Sequence, residues 1–321
     1  MELKNIIPLL AMPLLLIAVE LGSLLISLPV QASGITAFDD PTSMANPLIF
    51  IAILLVFTAF LLILIKYDMK KVIAAIIGLS ILCTFAYIYA AIVYAAIGAT
   101  AAGAQGWWDA VIPGVVIYSM TAETLMATAI IVVLAVLSTL LLYKYPEWYV
   151  IDALGILIGA GVASIFGVSL DVLPVVILLI LLAVYDAISV YKTKHMITLA
   201  EGVIDLKTPI LFVIPKRRDY SFRKEGIGKL QDGGERAAFI IGMGDMIMPS
   251  ILVVSANVFI QGAKLGGIIN LAALGAIIGS IAGILVLLHF VMSGKPQAGL
   301  PPLNGGTILG FLAGYALMMW V

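Results

Sequence analysis

Two aspartates stand in stretches otherwise built for an apolar environment. Asp245 closes the sequence Gly242-Met243-Gly244-Asp245 inside an apolar run from about Ala237 to Ile260, and Asp186 lies near the end of another, Leu181-Leu182-Ala183-Val184-Tyr185-Asp186-Ala187. Neither run contains a Lys or Arg. A carboxylate in such surroundings is expensive and points to a functional reason for its presence. If the two runs pack together, both carboxyls cannot ionise readily in a low dielectric, so they tend to share one proton. A pair in that state can activate a water and protonate a leaving group.

The glycines around Asp245 carry their own reading. Gly242 and Gly244 weaken a helix and clear space, through which water or an unwound backbone could reach the carboxylate. Depth supports a shared site. Asp186 lies six residues before Lys192, about 9 Å inside an edge at the helical rise, and Asp245 lies nine residues after Arg236, about 13 Å inside the same edge. Other acids read differently. Glu20 and Glu123 fall in the opposite half of their runs, as packing residues or parts of a polar path, Asp152 reads as an interfacial charge, and His289 as structural.

The elements that must hold these residues follow from composition. The 321 residues are 63% hydrophobic and 11% charged. With a mean hydropathy of +1.19, this describes a polytopic membrane protein rather than a soluble one. A net charge of −1 argues against nucleic acid as a partner. One cysteine, Cys83, excludes a disulfide framework or thiolate cluster, and no His-Glu-x-x-His helix occurs, so neither a metal nor another cofactor is expected. The absence of Gly-x-Ser-Gly argues against a serine mechanism within the membrane.

At about 20 residues per crossing, nine apolar segments emerge, at residues 6–30, 47–65, 72–98, 114–142, 149–167, 171–190, 237–262, 267–291 and 301–319. The fold class is therefore an all-α polytopic membrane protein with nine transmembrane helices. Val30-Gln31-Ala32 resembles a cleavage site, but the preceding stretch is too long for a signal sequence and contains Glu20, so it reads as a retained helix. A cytoplasmic N-terminus places 16 of the 17 Lys and Arg on the cytoplasmic side and only Lys264 outside, with the C-terminus extracellular. This suits the plasma membrane of a prokaryote. Trp107 and Trp108 read as interfacial anchors. Glycines four apart, Gly155 and Gly159, then Gly275, Gly279 and Gly283, then Gly310 and Gly314, read as close helix packing.

Three parts result: residues 1–190 with six spans, a cytoplasmic loop 191–236, and residues 237–321 with three spans. In the loop, Lys192 to Ile204 reads as an amphipathic continuation of span six. Pro209 to Pro215 is a short proline-bounded apolar run suited to an extended strand or a surface-lying piece, and it is a candidate substrate contact through Ile210 and Phe212. The stretch from Lys295 to Gly306 is rich in proline and glycine and is expected to enter span nine in a non-helical form, with backbone groups available to a partner.

Tyr185-Asp186 on span six, Gly242-Met243-Gly244-Asp245 on span seven and the proline-rich entry to span nine together resemble the GxGD intramembrane aspartyl proteases: presenilin, signal peptide peptidase and their archaeal homologues. The resemblance covers most of the chain. It implies that Asp186 and Asp245 are a catalytic dyad and that the family's Pro-Ala-Leu motif lies beside them. Here that place falls on Ala298-Gly299-Leu300, followed by Pro301, or in another register on Pro301-Pro302-Leu303. The cytoplasmic N-terminus matches presenilin and opposes signal peptide peptidase. Transmembrane helices are the implied substrates, with the bilayer as surroundings. The short loops suit an archaeal-type enzyme that acts without an obligate partner subunit, alone or as a homo-oligomer. The rival reading is a transporter or cation leak pathway through Glu20, Glu123, Asp186 and Asp245; a scaffold without chemistry leaves the buried acids unexplained.

Overall fold

The computed structural model describes residues 3–96, 122–193, 211–217, 219–226, 238–291 and 297–320. Nine long helices occur among them: α1 Leu3–Ser33, α2 Ala45–Lys66, α3 Lys70–Ala96, α4 Ala122–Lys144, α5 Trp148–Ser169, α6 Val172–Ile188, α7 Met243–Phe259, α8 Leu271–Val291 and α9 Leu300–Trp320. Eight are long and apolar enough to cross a bilayer; α7 is equally apolar in character but has only 17 residues. Trp107, Trp108 and Ile210 lie outside the described residues, as do the side chain of Glu123 and most of 192–204.

Helix α7 is the hub. Residues 250–256 of it are all fully buried, and it packs on α1, α5, α6, α8 and α9. By contrast α2 presents much of its surface outward, with Val56 71% exposed, as a lipid-facing helix would. The closest approach is between α8 and α9, where a Cβ on Gly275, Gly279 or Gly283 would strike backbone of α9 at Gly310, Gly306 and Pro302. Only glycine allows that spacing. Asn257 and Asn270 bind the far end of α7 to a small hairpin, β3 Lys264–Leu265 with β4 Ile269–Asn270, whose turn holds Gly266 and Gly267 at φ of 60° and 75°.

Two apolar runs divide differently from the sequence reading. The run 237–262 is not one helix: Ala238–Gly242 forms β2, which pairs antiparallel with β1 Leu211–Pro215, and helix begins only at Met243. Likewise 267–270 belongs to the hairpin and α8 starts at Leu271. The sequence Ala-Phe-Ile-Ile-Gly carries two β-branched isoleucines and an aromatic before a glycine. These fit a strand once a partner strand is available, and β1 provides it. Of the proline-bounded run in the loop, Leu211–Pro215 is extended, the first of its two expected forms.

Candidate active site

Asp186 sits in the last turn of α6, 5% exposed, and a π-helical turn over Ser189–Thr193 follows it. Its Oδ2 accepts the N–H of Leu300 at 3.0 Å. Asp245 is the third residue of α7, where a carboxylate benefits from the unpaired N–H groups and dipole of a helix start. The depth argument for Asp245 therefore needs correction. The five residues before α7, Ala238–Gly242, are extended rather than helical, so the nine-residue helical count from Arg236 does not apply; a first-turn position on α7 facing the last turn of α6 replaces it.

The two acids meet on one piece of backbone. A Cβ built on Gly299 would lie 3.0 Å from Asp245 Oδ2, and the next residue donates to Asp186. Any side chain at 299 would press on the Asp245 carboxylate, which explains a glycine there. Gly244, by contrast, has open space where a Cβ would be and is exposed, so one flank of Asp245 is clear for an incoming group. Pro249, four residues after Asp245, has no N–H to donate to the Asp245 carbonyl, which loosens the helical turn carrying the acid.

The entry to α9 is held from α6. Tyr191 donates its hydroxyl proton to Gln297 Oε1 at 2.8 Å and accepts from the Ala298 N–H at 3.3 Å, while Asn304 Nδ2 donates to the Leu179 carbonyl at 2.9 Å. Among the described residues only 297–299 is non-helical here. The expectation of a non-helical stretch through Gly306 is overturned, because Pro301 and Pro302 occupy the first turn of α9, where the missing N–H groups have no helical partner to lose.

Other expected contacts fall less simply. Met243 and Phe212 are both buried and converge on α5, their atoms 2.9 and 3.0 Å from where a Cβ on Gly155 would be. Phe212 thus belongs to the core, not to an open surface. Tyr185 is half-buried beside Asp186. Asp152 is not an interfacial charge: it is 9% exposed, and its Oδ1 accepts the Val213 N–H at 2.9 Å.

That bond fixes which way the β1–β2 sheet faces. Val213 pairs with Ile240; since Val213 N–H points away from β2, this is a non-hydrogen-bonded pair, and Ile240 must also point its N–H and C=O away, on the far side of β2. Beside that free edge lies a cavity of about 480 Å³ lined by Phe239, Ile240, Gly242, Asp245, Leu287 and Gly299. It gives an extended peptide a strand edge and a carboxylate within one space. Two signals in the sequence bear on this arrangement: Pro249 at four residues from Asp245, and Asp152 at one turn from Gly155.

Comparison with known proteins identifies the family. A family model described as signal-peptide peptidase, presenilin aspartyl protease matches residues 12–319. Two solved structures of a presenilin family intramembrane aspartate protease, in C222 and P2 space groups, are each 47% identical to this chain. The first covers 97% of this chain and 99% of its own at a TM-score of 0.67, the second 97% and 98% at 0.65. No curated protein matches. The chain belongs to the signal-peptide peptidase and presenilin family, and is an integral membrane endopeptidase of the aspartic type.

Proposed function

We propose that Asp186 and Asp245 hydrolyse peptide bonds within substrate transmembrane helices, near the cytoplasmic side of the membrane. The observation that carries this reading is their meeting on the Gly299-Leu300 backbone beside a strand edge. A helix hides its carbonyls, so the substrate must unwind locally before it can be cut. In the extended form it adds to the free edge of β2, with Ile240 supplying N–H and C=O, while the 298–301 segment forms the opposite wall. This places the added strand on β2 rather than on β1. Phe212 supports that edge from the core.

One carboxylate, ionised, takes a proton from water as the water oxygen attacks the scissile carbonyl carbon; the other, protonated, gives its proton to the carbonyl oxygen. The resulting gem-diol collapses as the proton held by the first carboxyl passes to the leaving nitrogen and the C–N bond breaks. The second carboxylate recovers its proton from a diol hydroxyl. Gly244 leaves room for the water, and every group named comes from one chain, so the reading needs no partner subunit and allows a homo-oligomer.

With 16 of 17 basic residues on one side, the N-terminus is cytoplasmic, the C-terminus extracellular, and the setting a prokaryotic plasma membrane. The test is cleavage of a single-span reporter by purified protein in liposomes. Asp186→Asn and Asp245→Asn should each reduce cleavage at least about 10⁴-fold, as expected for groups that act as a unit, and kcat should follow a bell-shaped pH profile. Cleavage surviving in either variant sinks the assignment.

A further inference from the structure

Strand β1 has an outer edge of its own, and the far side of the sheet is not filled. A cavity of about 370 Å³ lies there, lined by Leu14, Leu15, Trp148, Asp152, Ile214 and Pro215. An extended peptide entering it would meet β1 instead of β2, in a space that neither Asp186 nor Asp245 lines. The pairing register leaves three outward-facing residues on that edge, Leu211, Val213 and Pro215, across from Gly242, Ile240 and Ala238. Pro215 has no N–H to offer. The N–H of Val213, the central donor, is taken by Asp152 at 2.9 Å. Of the three positions, only Leu211 keeps an N–H that is not taken among the described residues.

Asp152 also acts at a distance through the sheet. It projects from α5, whose Gly155, one turn on, receives Phe212 of β1 and Met243 of the Asp245 turn. Glu147, at the start of α5, accepts from Ser221 Oγ at 2.8 Å in the segment after β1. The first turns of α5 therefore hold β1 in register, β1 holds β2, and β2 runs directly into Gly242 and Asp245.

We infer that Asp152 is a positioning residue for proteolysis: by occupying the Val213 N–H it closes the β1 edge and fixes the sheet register, so that a substrate strand adds only at β2 and presents one bond to the dyad. The inference rests on the strand-addition reading above. What it requires of residue 152 is an acceptor oxygen, not a charge.

The experiment uses the full chain in liposomes, a single-span reporter, and mass spectrometry of the products. Asp152→Asn keeps an oxygen for Val213 and should cleave within about threefold of wild type at the same bond, since charge assistance only about doubles such a bond. Asp152→Leu removes the acceptor. It should lose about 10- to 100-fold in kcat, as sub-ångström to ångström misplacement does, and yield products displaced by two residues, the period at which a strand re-presents the same face.

A single wild-type product at wild-type rate from Asp152→Leu overturns the proposal, and so does loss in Asp152→Asn equal to that in Asp152→Leu. If Asp152→Leu does not fold, Asp152→Ala is read in its place; failure of both to fold means that Asp152 holds the bundle rather than the sheet, which also overturns it. Asp186→Asn assayed alongside separates the two claims, since cleavage persisting there refutes the dyad while the Asp152 product pattern is still read against wild type.

Discussion

Replacing Gly283 with alanine should damage catalysis far more than replacing Gly275, although both changes crowd the same helix pair. At Gly283 the new Cβ would overlap the Pro302 carbonyl oxygen and lie 3.0 Å from Leu303 Cα. Carbon atoms at rest sit about 3.5–4.0 Å apart, so Leu303 must retreat by about 0.5–1 Å. Leu300 is one turn earlier on the same rigid helix and moves with it. Its N–H lies 3.0 Å from Asp186 Oδ2, and such a retreat stretches the contact towards 3.5–4.0 Å, where it no longer counts as a hydrogen bond. Gly299 leaves Asp245 in the same movement.

At Gly275 the clash is as severe, with the Gly310 carbonyl oxygen and with Gly314 Cα at 2.9 Å. It lies eight residues from Gly283, about 12 Å along α8 at the helical rise and away from the dyad. Each overpacking should cost about 1–3 kcal/mol of stability. Thermal unfolding in detergent should therefore show similar losses for both variants, while single-turnover cleavage should fall roughly 100-fold for Gly283→Ala and less than about tenfold for Gly275→Ala. Equal catalytic losses at equal stability would refute the claim that the α9 entry holds the dyad, and would leave the glycine stripe with packing as its whole role.

Two further outcomes probe the same site. Tyr191→Phe removes one hydroxyl that serves both Gln297 and Ala298; at about 0.5–1.5 kcal/mol per hydrogen bond, kcat/KM should drop about three- to tenfold with the dyad intact, measured by steady-state cleavage. Glu20 is fully buried, with neither carboxylate oxygen hydrogen-bonded among the described residues. Glu20→Gln should cleave within about threefold of wild type and melt no lower, because a neutral amide is the cheaper group to bury there. Cleavage falling to the level of Asp186→Asn would instead support a polar path through the membrane.

The proposed catalytic pair stood out in the sequence for a physical reason: hydrocarbon surroundings leave so few places for a carboxylate that two without a counter-charge are conspicuous. The span count was legible because length and hydropathy alone set it. What the sequence concealed lies where the same residues satisfy two structures. Ala238–Gly242 is apolar enough to extend α7 into one long span, and only pairing with a strand from across the loop, 31 residues away for Leu211 with Gly242 and 23 for Pro215 with Ala238, makes it extended. A window that reads hydropathy along the chain cannot see that partner.

Pro301 and Pro302 misled in the opposite sense. Proline density suggests irregular backbone, yet in a first helical turn those nitrogens have nothing to donate to, so the pair marks where α9 begins. The consequence reaches the chemistry. A helix starting at Leu300 leaves that residue's N–H free of helical bonding and pointing outward, and Asp186 receives it. The two acids are thus held partly by a helix end rather than by side chains, so the demand at 299 and 300 falls on the backbone: glycine at 299 for lack of room, and at 300 a residue that retains an N–H.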